Sequence, residues 1–335
     1  MTVNTLRKKS NTSLQRLAAI DIGTNSFHLI VVEIDHHVGK FRVLYRERDM
    51  VRLGEGGLKR LSATAMERGV RILKKFRTIA DSEKAPIRAI ATSAVREASN
   101  RYEFINRVKK ETGIRTEVVS GEEEARLIYL GVLSCLSVFD KKILLIDIGG
   151  GSTELLIGDR RMIFYSASLK LGAVRLTRRF FKQERLTADS IRKCREHIAK
   201  LLSRVCSEIR DDEYEVVVGT SGTILNLARM IRYRQEGSKP SKDDNLAFSK
   251  EELFEIVDEI TAAKDPKRRA EIGGLDAGRV DIITAGSLIL KEVFKKLKIK
   301  NMTVSKSALR EGVILDTVEK GLLSRNSKLL RKAER

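Results

Sequence analysis

Tryptophan is absent from the 335 residues, proline occurs three times and aromatic residues make up only 5% of the chain. So little proline excludes collagenous and proline-rich classes, and a hydrophobic share of 42% excludes a largely disordered chain. Cysteine is scarce as well. Cys135, Cys194 and Cys206 share no C-x-x-C spacing and have no histidine pair nearby, which argues against a zinc site or a disulfide framework and fits a reducing compartment. Long apolar runs are also missing: residues 29–32 and 143–146 fall far short of the roughly 18 residues of a membrane span. No membrane partner is expected, and the cytoplasm is the expected location. Residues 1–16 carry Arg7, Lys8, Lys9 and Arg16 without a signal-peptide core, and read as a frayed basic leader.

Positive charge is in excess. Lys and Arg number 65 against 45 Asp and Glu, a formal net charge of +20. The two ends carry part of it, and residues 171–210 hold eleven basic and four acidic side chains. Such a surface attracts polyanions through Coulomb steering and counterion release, yet a charged face also serves simply to keep a protein in solution. Basicity does not choose between nucleic acid, nucleotide and inorganic polyphosphate, and no specific nucleic-acid partner is expected. At roughly 100–200 residues per domain, the length suggests two domains.

The chain contains a long internal repeat. Residues 18–34 read AAIDIGTNSFHLIVVEI, and residues 144–158 read LLIDIGGGSTELLIG. A shift of 126 places Asp21 on Asp147, Gly23 on Gly149 and Ser26 on Ser152. Each copy reads as an apolar strand, a tight turn beginning at Asp-x-Gly and a returning strand, a β-hairpin with small residues at its tip. Glycines let backbone N–H groups approach an anion, Ser and Thr hydroxyls donate to phosphate oxygens, and the leading carboxylate holds a cation or orients water. One Asp-x-Gly hairpin is usually only a turn; two behind buried-looking strands suggest two related halves clamping a phosphate from both sides.

Strands and helices alternate after each hairpin, an α/β pattern in two lobes. The first half suggests strands at 42–45, 87–91 and 115–119 with helices at 62–81 and 101–112. The second suggests strands at 162–167 and 215–219 with helices at 173–181, at 188–210 and from Thr223. Residues 233–249 read as a polar surface loop.

Between the halves, Ser120-Gly-Glu-Glu-Glu-Ala-Arg opens an apolar-periodic helix. With Ser120 as N-cap, Glu123 falls at the third helical position, where a capping box returns its carboxylate to the cap backbone. Glu122 and Glu124 remain. The helix dipole favours acidic residues there without any function, while a first-turn carboxylate facing a cleft would serve as general base on water. Two further segments suit an anion. Gly219-Thr-Ser-Gly-Thr223 lies between a strand and a helix and lacks the Gly-Lys-Ser/Thr of a Walker motif. Thr92-Ser-Ala-Val-Arg96 follows a strand at the end where α/β sheets bind ligands, so Arg96 either meets phosphate or makes a surface ion pair.

As a set, AIDIGTNSFHLIVVE, VRLGEGGL (51–58), ATSAVREASN (91–100), SGEEEARLIYLG (120–131), DIGGGSTELLIG (147–158), SLKLGAVRLT (168–177), GTSGTI (219–224) and SKSALREGVILD (305–316) resemble the exopolyphosphatase and guanosine pentaphosphate phosphatase (Ppx/GppA) family, within the actin-like, sugar-kinase and Hsp70-like fold. The resemblance implies two ribonuclease-H-like lobes around a cleft: residues 17–122 with 306–323, and residues 123–305, followed by a basic tail at 324–335. It implies Mg²⁺-assisted (or Mn²⁺-assisted) release of orthophosphate from inorganic polyphosphate or guanosine pentaphosphate, a possible monovalent cation, and a homodimer. Glu124 would be the catalytic base, with Glu123 the second choice; Asp147 and Glu154 would serve the metal. Asp21, Gly23, Thr24, Asn25 and Ser26 would form one phosphate loop, Gly149, Gly150, Gly151, Ser152 and Thr153 the other, with Arg96, Gly219, Ser221, Gly222 and Thr223 as further phosphate contacts. The chain looks like the short two-domain form, without the family's HD-type helical region. A kinase or ATPase of the same fold and a non-catalytic polyanion binder are the competing readings.

Overall fold

The computed structural model describes residues 15–35, 40–136, 138–182, 185–209, 214–238 and 246–333, with side chains described as far as residue 321. Most of the 1–16 leader and the end of the 324–335 tail lie outside the described residues. Gln15 and Arg16 open the first strand instead, where Arg16 pairs with Glu83 at 2.9 Å and Glu33 at 3.6 Å.

The first lobe holds β1 (Gln15–Ile22), β2 (Phe27–Asp35), β3 (Lys40–Asp49), β4 (Ile87–Ala91) and β5 (Thr116–Val118), in the order β3-β2-β1-β4-β5, with helices α1 (Ala63–Ser82), α2 (Ser93–Glu97) and α3 (Arg101–Thr112). Helix α4 (Gly121–Leu133) leads to the second lobe, which holds β6 (Ile143–Ile148), β7 (Thr153–Asp159), β8 (Met162–Leu169), β9 (Val216–Thr220), β10 (Ala247–Ser249) and β11 (Asn301–Val304). Their order is β8-β7-β6-β9-β11-β10. Helices α5 (Ala173–Phe180), α6 (Ala188–Glu208), α7 (Gly222–Glu236), α8 (Lys250–Ala262), α9 (Pro266–Ala270), α10 (Ile283–Lys296) and α11 (Leu309–Ala333) complete the chain. In each lobe an antiparallel hairpin is followed by a parallel strand beside its first member: β1 pairs with β2 and β4, and β6 with β7 and β9. The repeat in sequence is therefore a repeat in topology.

Side chains alternate across a strand. Ala18, Ile20 and Ile22 pack outward under α1 and α3, while Leu17 and Ala19 pack inward with α4 and α11. The same division puts Leu144, Ile146 and Ile148 in the outer core of the second lobe and Ile143 and Leu145 in the inner one. Asp21 and Asp147 continue the inward series, so period-two geometry alone turns both carboxylates toward the space between the lobes. Helices α4 and α11 fill that middle layer, and their backbones touch: a Cβ on Gly131 would run into the Ala308 carbonyl, and one on Gly312 into that of Leu127. Arg126 joins the pair, bonding Asp316 at 2.6 Å, while Asp316 accepts from Arg88 of β4 at 2.7 Å.

The 233–249 loop is shorter than the sequence suggested. Helix α7 runs on to Glu236 and stops where Gly237 takes a left-handed φ of 69°, and burial of Leu246 and Phe248 draws residues 247–249 onto the sheet edge as β10. Residues 239–245 lie outside the described residues. The basic 171–210 stretch forms α5 and α6, and much of its charge is locally matched: Arg192 and Lys193 pair with Asp189, Arg195 with Glu292 and Arg204 with Glu208. Among the described residues no helix is long and apolar enough to cross a membrane.

Gly312→Ala should destabilise the protein by about 3 kcal/mol or more, because the added methyl meets backbone rather than a movable side chain. Urea unfolding measures this, and a loss below about 0.5 kcal/mol would mean that the α4–α11 contact yields easily.

Candidate active site

The two hairpin tips face each other across a cleft of about 480 Å³. A Cβ on Gly150 would lie 2.9 Å from Thr24 Cβ, so the second loop approaches the first too closely for any side chain there. Each loop is braced from behind. Arg52 and Gly54 donate their N–H groups to the carbonyls of Asn25 (2.7 Å) and Thr24 (2.9 Å). At the start of α5, Ala173 donates to Gly149 O at 3.0 Å and Val174 to Gly150 O at 2.9 Å, while Arg175 Nε donates to Gly151 O at 2.6 Å. With their carbonyls occupied this way, the loops hold one shape.

Asp21, Gly23, Thr24, Asn25, Ser26, Asp147, Gly149, Gly150, Gly151 and Ser152 line the cleft, together with Ser221, Gly222 and Thr223. Glu124 joins them from the first turn of α4. Ser120 caps that helix, accepting from Glu123 N at 3.1 Å. The expected capping box is not what holds Glu123: its carboxylate takes two bonds from Arg126, at 2.7 and 2.8 Å, because Asp316 fixes that guanidinium within reach. Glu123 thus turns away from the cleft. Glu124, 7% exposed, accepts from Arg96 Nη1 at 2.7 Å.

Three expected phosphate contacts are not brought to the cleft. Arg96 is held by Glu124 and by Val119 O (3.1 Å), on the side of Glu124 away from the cleft. Thr153 is fully buried and its hydroxyl donates to Leu171 O at 2.8 Å. Gly219 sits inside β9, where its carbonyl accepts from Ser305 N and Met302 and Ile224 pack over its Cα. Ser221 does line the cleft, with an unusual φ of 104°, but its hydroxyl caps α7 by accepting from Ile224 N at 3.3 Å.

Glu154 stands opposite Asp147 across the β6–β7 ladder. Its Oε1 accepts from Ser168 at 2.8 Å, and its buried Oε2 has no hydrogen-bond partner. Burial raises the pKa of every carboxyl group in this cluster. Asp21 is pushed up to about 7, with Arg310 pulling it down and Glu124 pushing it up; Asp147 is pushed up to about 8 by burial and then by the charges of Glu124 and Asp21. Glu154 is raised well above the carboxylate range by burial, Glu124 and Asp147. Glu124 is raised by burial, against which Arg96 pulls it down. Among the described residues no three His, Cys, Asp or Glu side chains close around one point as a ready-made metal cage. Mg²⁺ does not need one, since it takes one or two carboxylates and completes its shell with waters and substrate phosphates. Asp147 and Glu154, cross-strand neighbours with one buried oxygen unpartnered, are a hard donor pair of the kind such a cation takes.

Sequence reasoning missed the rim. Arg46, Arg48, Arg229, Arg279, Lys306 and Arg310 line the cleft above the carboxylates. Arg279 is 7% exposed and lies against Gly222; burial lowers its pKa to about 10. His28 also lines the cleft, with Nε2 at 2.9 Å from Ser26 Oγ, and stays neutral because burial and then Arg310, Arg48 and Arg279 disfavour its charge. His28 carried a visible signal: the 126-residue shift that pairs Asp21 with Asp147 also pairs it with Glu154. Lys306 and Arg310 lie within the SKSALREGVILD segment, whereas Arg46, Arg48, Arg229 and Arg279, spread over three separate elements, carried no such signal.

Arg96→Gln should raise the Glu124 pKa further, because the cation that favours the carboxylate is gone while burial remains. A carboxyl ¹³C NMR titration reads this directly; an unchanged or lowered midpoint would show that Arg96 does not set the Glu124 charge.

A model of the Ppx/GppA phosphatase family matches residues 30–321. The chain is 31% identical to an exopolyphosphatase from Cytophaga hutchinsonii, with 91% of this chain and 98% of that one covered at a TM-score of 0.83. It is 29% identical to the Ppx/GppA family member of Aquifex aeolicus, covering 92% and 99% of the two chains at a TM-score of 0.75. Their similarity spans both lobes and the cleft between them. With its two α/β lobes, the chain belongs to the Ppx/GppA phosphatase family.

Proposed function

We propose that this phosphatase releases orthophosphate from the end of a phosphoanhydride chain, either inorganic polyphosphate or guanosine pentaphosphate, with Glu124 as the base. The observation that carries this reading is the position of Glu124: buried between two backbone-lined phosphate loops and oriented by a 2.7 Å ion pair. The cationic rim supports an extended polyanion, and the loops support its terminal phosphate.

The terminal phosphate binds between the tips at 23–26 and 149–152. Their amides and hydroxyls take up the charge on its peripheral oxygens, and this fixed polar surface supplies much of the acceleration expected for phosphoryl transfer. Glu124 orients a water against the phosphorus and accepts its proton as the new P–O bond forms. The bridging P–O bond breaks, and its oxygen leaves with the bonding pair on the shortened chain. Arg96 keeps Glu124 in its acceptor form before attack. A divalent cation held by Asp147 and Glu154 would neutralise charge on the terminal and penultimate phosphates. Asp21, His28 and Ser26 belong to the opposing loop; neutral His28 positions the Ser26 hydroxyl.

Glu124→Gln keeps the shape and removes the base, so turnover should fall by about 10²–10⁴-fold with little change in KM or thermal midpoint. Orthophosphate release is to be followed from long-chain polyphosphate, short-chain polyphosphate and guanosine pentaphosphate with Mg²⁺. Loss of turnover in Glu123→Gln with none in Glu124→Gln would reassign the base, and no release from any of the three would overturn the hydrolase reading.

A further inference from the structure

Behind Glu124, on the side away from the cleft, lies a second cavity of about 330 Å³ at the junction of the lobes. Arg96, Glu97, Ser120, Glu122, Ser166 and Lys170 are among the residues that line it. Ser152, at the tip of the second phosphate loop, lines both this cavity and the cleft. Two side-chain bridges make the partition between them. One is the Arg96–Glu124 pair, whose carboxylate lines the cleft and whose guanidinium lines the rear cavity. The other is Ser93 donating to Glu97 at 2.9 Å, with Arg175 on the same carboxylate at 2.5 Å.

An enzyme that removes the last unit of a chain has a traffic problem. The terminal phosphate must be the deepest, beside Glu124, and the rest of the chain then lies along the path to the arginine rim. Once cleaved, orthophosphate lies beside Glu124 with its own leaving group still on the side of the arginine rim. We propose that it leaves through the rear cavity, past Ser152 and the Arg96–Glu124 partition, and reaches solvent beside Lys170; the proposal rests on the hydrolase reading above.

The lining suits passage more than storage. The Arg96 charge is matched by Glu124 and that of Glu97 by Arg175, so a passing phosphate meets no unopposed buried cation to trap it. Small serines line the way instead, Ser152 at the inner end and Ser166 on β8. Ser168 completes the wall while donating to Glu154. Exposed Lys170 draws an anion toward the outer opening.

Ser166→Leu narrows the passage and Lys170→Glu reverses the charge at its outer end; neither residue touches the cleft. Cleavage is to be timed by acid quench in a single turnover of polyphosphate, and release by a fluorescent orthophosphate sensor in the same mixture. Wild type should release in step with cleavage. Both variants should cleave at the wild-type rate yet release with a lag, and their steady-state turnover should drop by about fivefold or more as exit becomes limiting. Exposed Lys170 keeps the test intact if the Ser166 variant folds poorly. Release that keeps pace with cleavage in the variants would overturn the rear exit alone; no cleavage in acid-quenched wild type would overturn the hydrolase reading and the exit with it.

Discussion

Four carboxyl groups gathered at one cleft, three lining it and Glu154 buried opposite Asp147 on the next strand, constrain everything around them. Burial opposes the ionisation of Asp21, Glu124, Asp147 and Glu154, and the Glu124 charge adds to the rise at the other three. A folded chain tolerates such a cluster only if other groups return the lost stabilisation. Here Arg96 reaches Glu124, Arg310 acts on Asp21, and Ser168 bonds Glu154, while the glycine loops leave backbone amides facing the same space.

Precision comes from the middle layer. Helix α4 carries Glu124 on its first turn and is locked to α11 by backbone contact at Gly131 and Gly312, and α11 is tied through Asp316 to Arg126 and Arg88. The same layer packs against the inner faces of both sheets. Glu124 is therefore referenced to both hairpin tips through rigid elements, and the mouth is spanned by the ion pairs Arg48–Asp276 at 3.0 Å and Arg52–Asp281 at 2.7 Å. These last pairs are exposed and individually weak, consistent with a floor that is fixed and a mouth that is only lightly held.

Local rules made much of this legible. The hairpins, the strand at 87–91 and the helices near 62–81 and 101–112 follow from alternation and amphipathic spacing, which neighbouring residues determine. Ser120 caps α4 as its spacing with Glu123 demanded. What Glu123 does next was not legible, because its partner Arg126 is held in place by Asp316, 190 residues away. Thr153 and Arg96 show the same limit: each is the right residue type for phosphate, but Leu171 O takes one and Glu124 the other. The polar run at 233–249 hid a buried Phe248, whose packing partner Phe294 lies far along the chain.

From its own residues the sequence determined a two-lobed repeat, two Asp-x-Gly phosphate loops and a carboxylate-rich helix start, since each depends on spacing within a few residues. Its motifs determined the family. Only the tertiary structure decided which carboxylate faces the cleft, that Arg96 pairs with Glu124 and not with the hairpin tips, that six basic side chains form one rim, and that a second cavity lies beside Arg96. The physical reason is the same in each case: a hydrogen bond or a charge contact is settled by what stands within about 3 Å in space, and these partners come from opposite lobes or from helices that meet only when the chain closes on its middle layer.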